Sequence, residues 1–162
     1  MEIPSEKRDP QMTLILGIGN LLMGDEGVGV HAINRLESEY RDRLPSGVRL
    51  LDGGVAGFHL LGEIEEADRL VIIDATMDGR PPGTIDRIRP RFSSDYPRTL
   101  SAHDIGLKDL LDVLYLSQKR VPDVTLYTVS VEFLPESLTT ALSESVAASL
   151  HALCEKVLVE AG

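Results

Sequence analysis

Cysteine and aromatic residues are scarce in this sequence. It contains a single cysteine, Cys154, and no tryptophan, and aromatic residues make up only 4% of the chain. One cysteine excludes an internal disulfide and fits a reducing compartment. Because hydrophobic residues still make up 43% of the composition, we expect a core built from leucine, valine and isoleucine. Cys154 lies beside Leu153 and Val157 in a late amphipathic segment, so it is interpreted as an inert thiol rather than a nucleophile.

Positive charge is also in short supply. The chain has 16 Lys and Arg residues against 26 Asp and Glu residues, which gives a formal net charge of −10. This balance argues against a nucleic acid or an anionic membrane as partner. No apolar stretch is long enough to span a bilayer, and residues 1–10 lack the apolar core of a secretion signal. We therefore expect a cytoplasmic protein without membrane insertion.

Several motifs of common enzyme classes are missing. The absence of Gly-x-Ser-x-Gly leaves a serine hydrolase unsupported, and the absence of Gly-Lys-Ser/Thr excludes a P-loop. The run Gly17-Ile-Gly19 begins a dinucleotide fingerprint, but Leu22 stands where its third glycine belongs. Asp25 and Glu26 would also repel a pyrophosphate at the start of the next helix. A nucleotide-binding domain remains as an alternative with little support.

Short apolar runs alternate with amphipathic segments along the chain. This alternation predicts a parallel sheet with helices on both faces, an α/β fold of three α/β/α layers around a mostly parallel five-stranded sheet. We expect a flexible tail over residues 1–10 and a single domain over 11–162. The predicted strands are 12–18, 48–51, 69–74, 84–89 (an edge strand) and 124–131. The predicted helices are 25–43, one around 57–64, 105–118 and 139–160.

Ligands of such sheets bind outside the carboxyl ends of the strands. Glu26 follows the first predicted strand, Asp52 the second, Asp74 ends the third, and His103 precedes the third helix. Two of these carboxylates and the imidazole would form a set of ligands for a divalent metal ion, with open positions for water or substrate. Each residue also has an ordinary structural interpretation: helix capping for Glu26 and its neighbour Asp25, a cap or loop hydrogen bond for Asp74, and solvent exposure for His103.

Six short motifs, in this order, resemble those of the [NiFe]-hydrogenase maturation endopeptidases. They cover residues 12 to about 160, and two positions depart from the family pattern. Ala102 stands where relatives often have proline, and residues 139–144 lack a glycine-containing stretch. The motifs are Gly17-Ile-Gly-Asn20, Gly24-Asp-Glu-Gly-Val-Gly29, Asp52-Gly-Gly-Val-Ala-Gly57, Val71-Ile-Ile-Asp-Ala75, Ser101-Ala-His-Asp-Ile-Gly-Leu107 and Pro135-Glu-Ser-Leu138.

The resemblance implies a phosphorylase/hydrolase-like fold and an endopeptidase that removes the C-terminal extension of a hydrogenase large-subunit precursor after nickel insertion. It assigns metal contact and catalysis to Glu26, Asp74 and His103, with Asp52 as a further acidic candidate. The nickel would be carried by the precursor, and zinc or cadmium would substitute for it. Without an ordinary nucleophile, we expect an aspartic-type or metal-assisted attack by water. The alternative is a non-catalytic nickel-binding or chaperone module for hydrogenase maturation.

Overall fold

The computed structural model describes residues 11–55, 57–91, 93–97, 107–117 and 121–162. Five strands form one sheet in the order β2-β1-β3-β5-β4. Neighbouring strands run parallel except for β4, which pairs antiparallel with β5 at the edge. All five predicted strands, including the edge strand, are confirmed. The strands are β1 Thr13–Ile18, β2 Val48–Gly54, β3 Arg69–Thr76, β4 Ile85–Ile88 and β5 Asp123–Ser130.

Helices cover both faces of this sheet. They are α1 Val28–Glu39, α2 Leu61–Glu66, α3 Leu107–Leu116 and α4 Glu144–Ala161. Side chains alternate along each strand, so Ile15 of β1 packs towards α1 and α4 whereas Leu14 and Leu16 pack towards α2 and α3. Two aliphatic core clusters result, one on each face. The three-layer α/β fold with a mostly parallel sheet is therefore confirmed. No helix in the described segments is both long enough and apolar enough to cross a membrane.

Two glycines allow α1 to lie directly against the sheet. A methyl group at Gly17 of β1 would overlap the carbonyl oxygen of Gly29 in α1, and one at Gly29 would overlap the carbonyl oxygen of Ile73 in β3. Because only glycine leaves room for this approach, the amino-terminal end of α1 is held close to β1 and β3. The 3₁₀ turn Gly24–Gly27, which precedes α1, therefore packs against β3 at the carboxyl edge of the sheet.

The first and last helices begin or end elsewhere than expected. The last helix begins at Glu144 rather than Thr139, because the backbone of Thr139 pairs instead with the loop after β1. Its N–H donates to the carbonyl of Leu22 at 2.8 Å, and its carbonyl accepts from the N–H of Gly24 at 2.9 Å. The first helix is also shorter than the predicted 25–43, since 3₁₀ turns replace α-helix at both ends, at 24–27 and at 41–43.

Two strands run further than expected. β2 continues to Gly54 and β3 to Thr76, so Asp52 and Asp74 lie inside strands rather than after or at their ends. The expected tail over residues 1–10 lies outside the described residues, and the single domain over 11–162 stays a prediction.

Candidate functional site

Asp74 is the most deeply enclosed carboxylate at the carboxyl edge of the sheet. Its side chain is fully buried, and in the ladder it pairs with Thr128 of β5. Asp74 shares the alternation of Leu70 and Ile72, which places it on the face covered by α2 and α3. Its Oδ1 accepts a hydrogen bond from the N–H of Ala75 at 2.8 Å. A carboxylate is rarely buried in this way unless partners or a function offset the loss of hydration.

Glu26 lies at the same edge of the sheet. It belongs to the turn Gly24–Gly27, which packs against β3, and its side chain is half-buried. Gly19, with a φ of +145°, allows this position, because a methyl group there would overlap the carbonyl oxygen of Glu26. The turn thus brings Glu26 to the strand that carries Asp74. The two residues therefore lie at the same end of the sheet, and the site prediction requires this arrangement.

The neighbouring acid, Asp25, has a structural role. Its buried carboxylate accepts two hydrogen bonds from Ser143, one from the backbone N–H and one from the hydroxyl, both at 2.7 Å. Ser143 is the residue immediately before α4. Asp25 therefore binds the start of a helix, as its capping interpretation states. The helix is α4, however, and not α1.

Asp52 is placed differently from Asp74. Its exposed carboxylate accepts a hydrogen bond from the N–H of Gly54 at 2.8 Å, which stabilises the end of β2. Asp52 shares the alternation of Val48 and Leu50, which pack on the α1 and α4 side. It therefore leaves the sheet on the face opposite to Asp74, and the structure gives it a turn-forming contact rather than a place beside Asp74.

Two hydroxyl groups near Asp74 were not singled out from the sequence. Tyr96 is buried on the α2 and α3 side, and its pKa is raised well above the ordinary value, first by burial and then by the charge of Asp74. Neither its hydroxyl nor that of Thr128, which is opposite Asp74, has a hydrogen-bond partner among the described residues. Polar alternation within the fifth predicted strand would have pointed to Thr128, but nothing local points to Tyr96.

His103 falls outside the described residues, so its place in the site stays a prediction. Within the described ranges no group of three His, Cys, Asp or Glu side chains could hold a metal ion. The set of Glu26, Asp74 and His103 therefore stays a prediction, since only its two carboxylates lie among the described residues.

Two other histidines and the thiol have ordinary structural contacts. The Nε2 atom of His31 lies 2.9 Å from the carbonyl oxygen of Thr140, and the Nδ1 atom of His151 lies 2.8 Å from the hydroxyl of Tyr40. Cys154 is fully buried, and burial raises its pKa to about 11. The thiol therefore stays protonated at neutral pH and is unsuited to nucleophilic attack, in agreement with its interpretation from the sequence.

A mostly parallel sheet with a buried carboxylate at its carboxyl edge is typical of α/β proteins that bind their ligands beyond the strand ends. Comparison with known proteins makes this class specific. A family model described as hydrogenase maturation protease matches residues 30–160, a range that includes Asp52, Asp74 and His103 and begins after Glu26. The chain belongs to this family of hydrolases.

Individual relatives agree with the family match. The chain is 40% identical to the hydrogenase expression/formation protein HoxM of Azotobacter vinelandii, over 85% of this chain but only 66% of that protein. It superposes on the hydrogenase maturating endopeptidase HybD from E. coli with a TM-score of 0.75 and 34% identity, covering 93% of this chain and 91% of that one. The [NiFe] hydrogenase maturation protease HybD from Thermococcus kodakarensis gives a TM-score of 0.74 at 26% identity, covering 94% and 100%.

Proposed function

We propose that this chain is a cytoplasmic endopeptidase that removes the C-terminal extension of a [NiFe]-hydrogenase large-subunit precursor after nickel insertion. Family membership supports the reaction class. The observation that carries the site is the complete burial of Asp74 at the carboxyl edge, with the turn bearing Glu26 packed against the same strand. Such an edge is where ligands of parallel α/β sheets bind.

In this proposal the nickel belongs to the substrate. Glu26, Asp74 and His103 bind the ion that the precursor already holds, because two carboxylates and an imidazole suit a borderline divalent metal. Zinc or cadmium is expected to substitute for nickel in binding. Docking on the ion places the scissile peptide at the sheet edge, and such positioning lowers a barrier by about 7–11 kcal/mol in favourable cases. A precursor without nickel would lack this anchor and stay uncut.

The bond is then broken by water. A carboxylate of the site takes a proton from the water as its oxygen adds to the scissile carbonyl carbon. The carbon–nitrogen bond breaks, and the proton passes to the leaving amine, which gives a free carboxylate on the mature subunit and a released peptide. The sole cysteine, Cys154, is enclosed in the core and takes no part.

The test is to incubate the protein with nickel-loaded and nickel-free precursor and to measure the mass of the large subunit. The wild type should shorten only the loaded form. We expect Glu26→Gln, Asp74→Asn and His103→Ala each to slow processing by about 100-fold or more, the usual range for loss of an acid–base group. Each should keep its thermal unfolding midpoint, because Gln and Asn preserve shape and His103 lies in a loop by sequence.

Asp123→Asn is the matched control, since Asp123 begins β5 at the opposite edge of the sheet and is exposed. It should process the precursor at the wild-type rate. Wild-type rates in all three site variants would place the chemistry elsewhere. Tight binding of the loaded precursor without any shortening would instead favour the non-catalytic nickel-binding module.

A further inference from the structure

Exposed apolar side chains are concentrated in the loops at the carboxyl edge of the sheet. Of the eleven large hydrophobic residues that are exposed among the described residues, the four outside these loops all lie on α3 or α4. The other seven follow the carboxyl ends of β1, β2, β3 and β5. They are Leu22, Val55, Phe58, Met77, Phe133, Leu134 and Leu138. Clusters of this kind mark interaction surfaces more often than isolated apolar residues do.

Four of these residues lie on two adjoining loops and are here named the apolar rim: Leu22, Phe133, Leu134 and Leu138. Leu22 belongs to the loop after β1 and the other three to the loop after β5. The two loops are joined, because the N–H of Thr139, next to Leu138, donates to the carbonyl of Leu22 at 2.8 Å. Side-chain exposure in the rim ranges from 39% at Leu134 to 73% at Phe133. Beside it lies a cavity of about 270 Å³ lined in part by Phe133, Leu134 and Pro135.

The apolar rim and the proposed site share a loop. The loop that carries Leu22 also carries Glu26, and between them Asp25 is bound to Ser143 by two hydrogen bonds. Both sides of the rim are therefore fixed relative to Glu26. A protein that docks on the rim has a defined position with respect to the carboxyl edge.

The charge around the rim indicates the chemistry of its partner. Residues 131–150 include Glu132, Glu136 and Glu144 but no Lys or Arg. A partner that fits carries apolar side chains flanked by basic ones, since complementary charge favours encounter and correct orientation. The rim has the character expected of an interface centre, with aromatic and aliphatic anchors within a polar surround.

We propose that the apolar rim is the docking surface for the folded body of the hydrogenase large-subunit precursor, outside the peptide that is cut. This inference rests on the proposed function. The precursor is the partner that must reach the carboxyl edge, and the rim borders that edge on a loop shared with Glu26. Binding there adds affinity and selects the substrate without contributing to bond cleavage.

The test compares two double variants of the full chain. Phe133→Ala with Leu138→Ala removes the most exposed rim side chains, whereas the control, Leu116→Ala with Val159→Ala, removes somewhat more exposed ones from α3 and α4. We expect the rim variant to raise KM for nickel-loaded precursor at least tenfold with kcat within twofold, and the control to match the wild type. Thermal unfolding midpoints should agree among all three proteins.

Binding of nickel-free precursor distinguishes the docking hypothesis from the protease hypothesis, because the proposed function predicts that this form stays uncut. If the wild type shortens loaded precursor and the rim variant has the control's KM, the docking surface is wrong while the proposed function stands. If the wild type never shortens precursor but binds it, and the rim variant binds tenfold more weakly than the control, the docking surface is supported and the protease function is contradicted. A wild type that neither cuts nor binds precursor contradicts both.

Discussion

At the scale of single residues, the hydroxyl of Tyr96 is the least expected feature of the site. It is buried close to Asp74, and it has no hydrogen-bond partner among the described residues. A buried polar group without a partner destabilises a protein by about 1–3 kcal/mol relative to an apolar group of the same shape. Natural proteins keep such groups mainly where a function requires them.

Tyr96→Phe is therefore expected to raise the free energy of unfolding by about 1 kcal/mol. The substitution removes only the unpartnered hydroxyl and keeps the ring in the core cluster on the α2 and α3 side. Urea unfolding followed by circular dichroism gives the measurement. Tyr115→Phe is the control with the opposite sign, because the Tyr115 hydroxyl donates to the carbonyl of Arg91 at 2.8 Å and its loss should destabilise slightly. A destabilised Tyr96→Phe would mean that this hydroxyl has a partner after all.

The position of Asp74 and Glu26 at one edge of the sheet could be predicted from the sequence, whereas their surroundings could not. A carboxylate that directly follows Leu70 to Ile73 stands out in any reading of hydrophobic pattern, and the strand-end rule groups it with Glu26. The partners of Asp25 and the burial of Tyr96 depend on contacts between distant segments. Asp52 looked equivalent to Asp74 because both follow apolar runs, and only the register of β2 shows that it lies on the other face.

At the scale of elements, the strands were predictable and one helix start was not. Apolar runs specify the strands of a covered parallel sheet almost directly. The segment from Thr139 to Leu142 has a helical pattern, but its backbone groups pair with the loop after β1 instead. No local signal encodes that pairing. Hydrogen bonds between Asp25 and Ser143 join the same two segments. They lie where the sequence pattern predicts a further turn of the last helix.

Asp25→Ala is accordingly expected to lower the free energy of unfolding by about 1–3 kcal/mol, since it removes two hydrogen bonds to a carboxylate. It should also slow processing, because Glu26 is the next residue. Chemical unfolding and the precursor assay measure the two effects. The control is Asp123→Ala, which breaks an exposed ion pair with Arg89, and such pairs contribute about 0–1 kcal/mol. Equal losses in both variants would show that the contact to α4 is unimportant.

At the scale of the whole molecule, the two core clusters share one sheet. β3, in the middle of the strand order, contributes Val71 and Ile73 to one cluster and Leu70 and Ile72 to the other. Among the described residues, each layer of helices buries its apolar face against this one sheet. Loss of one helix layer therefore exposes one face of the strands to water, and the opposite face of the same strands carries the other layer.

We expect a single cooperative unfolding transition, unchanged when residues 1–10 are deleted. Single domains of this size usually unfold in one step, and β1 begins only at Thr13. Calorimetry and circular dichroism should give the same midpoint for the full and shortened chains. Two separate transitions would divide the chain into independent units, and a large drop in midpoint on deletion would show that the amino-terminal residues contribute to the fold.

The pairing of Asp25 with Ser143 also bears on the order of folding. The two residues are 118 positions apart in the chain, and contacts of such long separation form only after much of the chain entropy has already been lost. The residues of β1 and of the turn with Glu26 are synthesised long before Ser143. We therefore expect the turn to reach its final geometry only when the last helix is in place, so that an incomplete chain carries Glu26 and Asp74 without the arrangement proposed for the site.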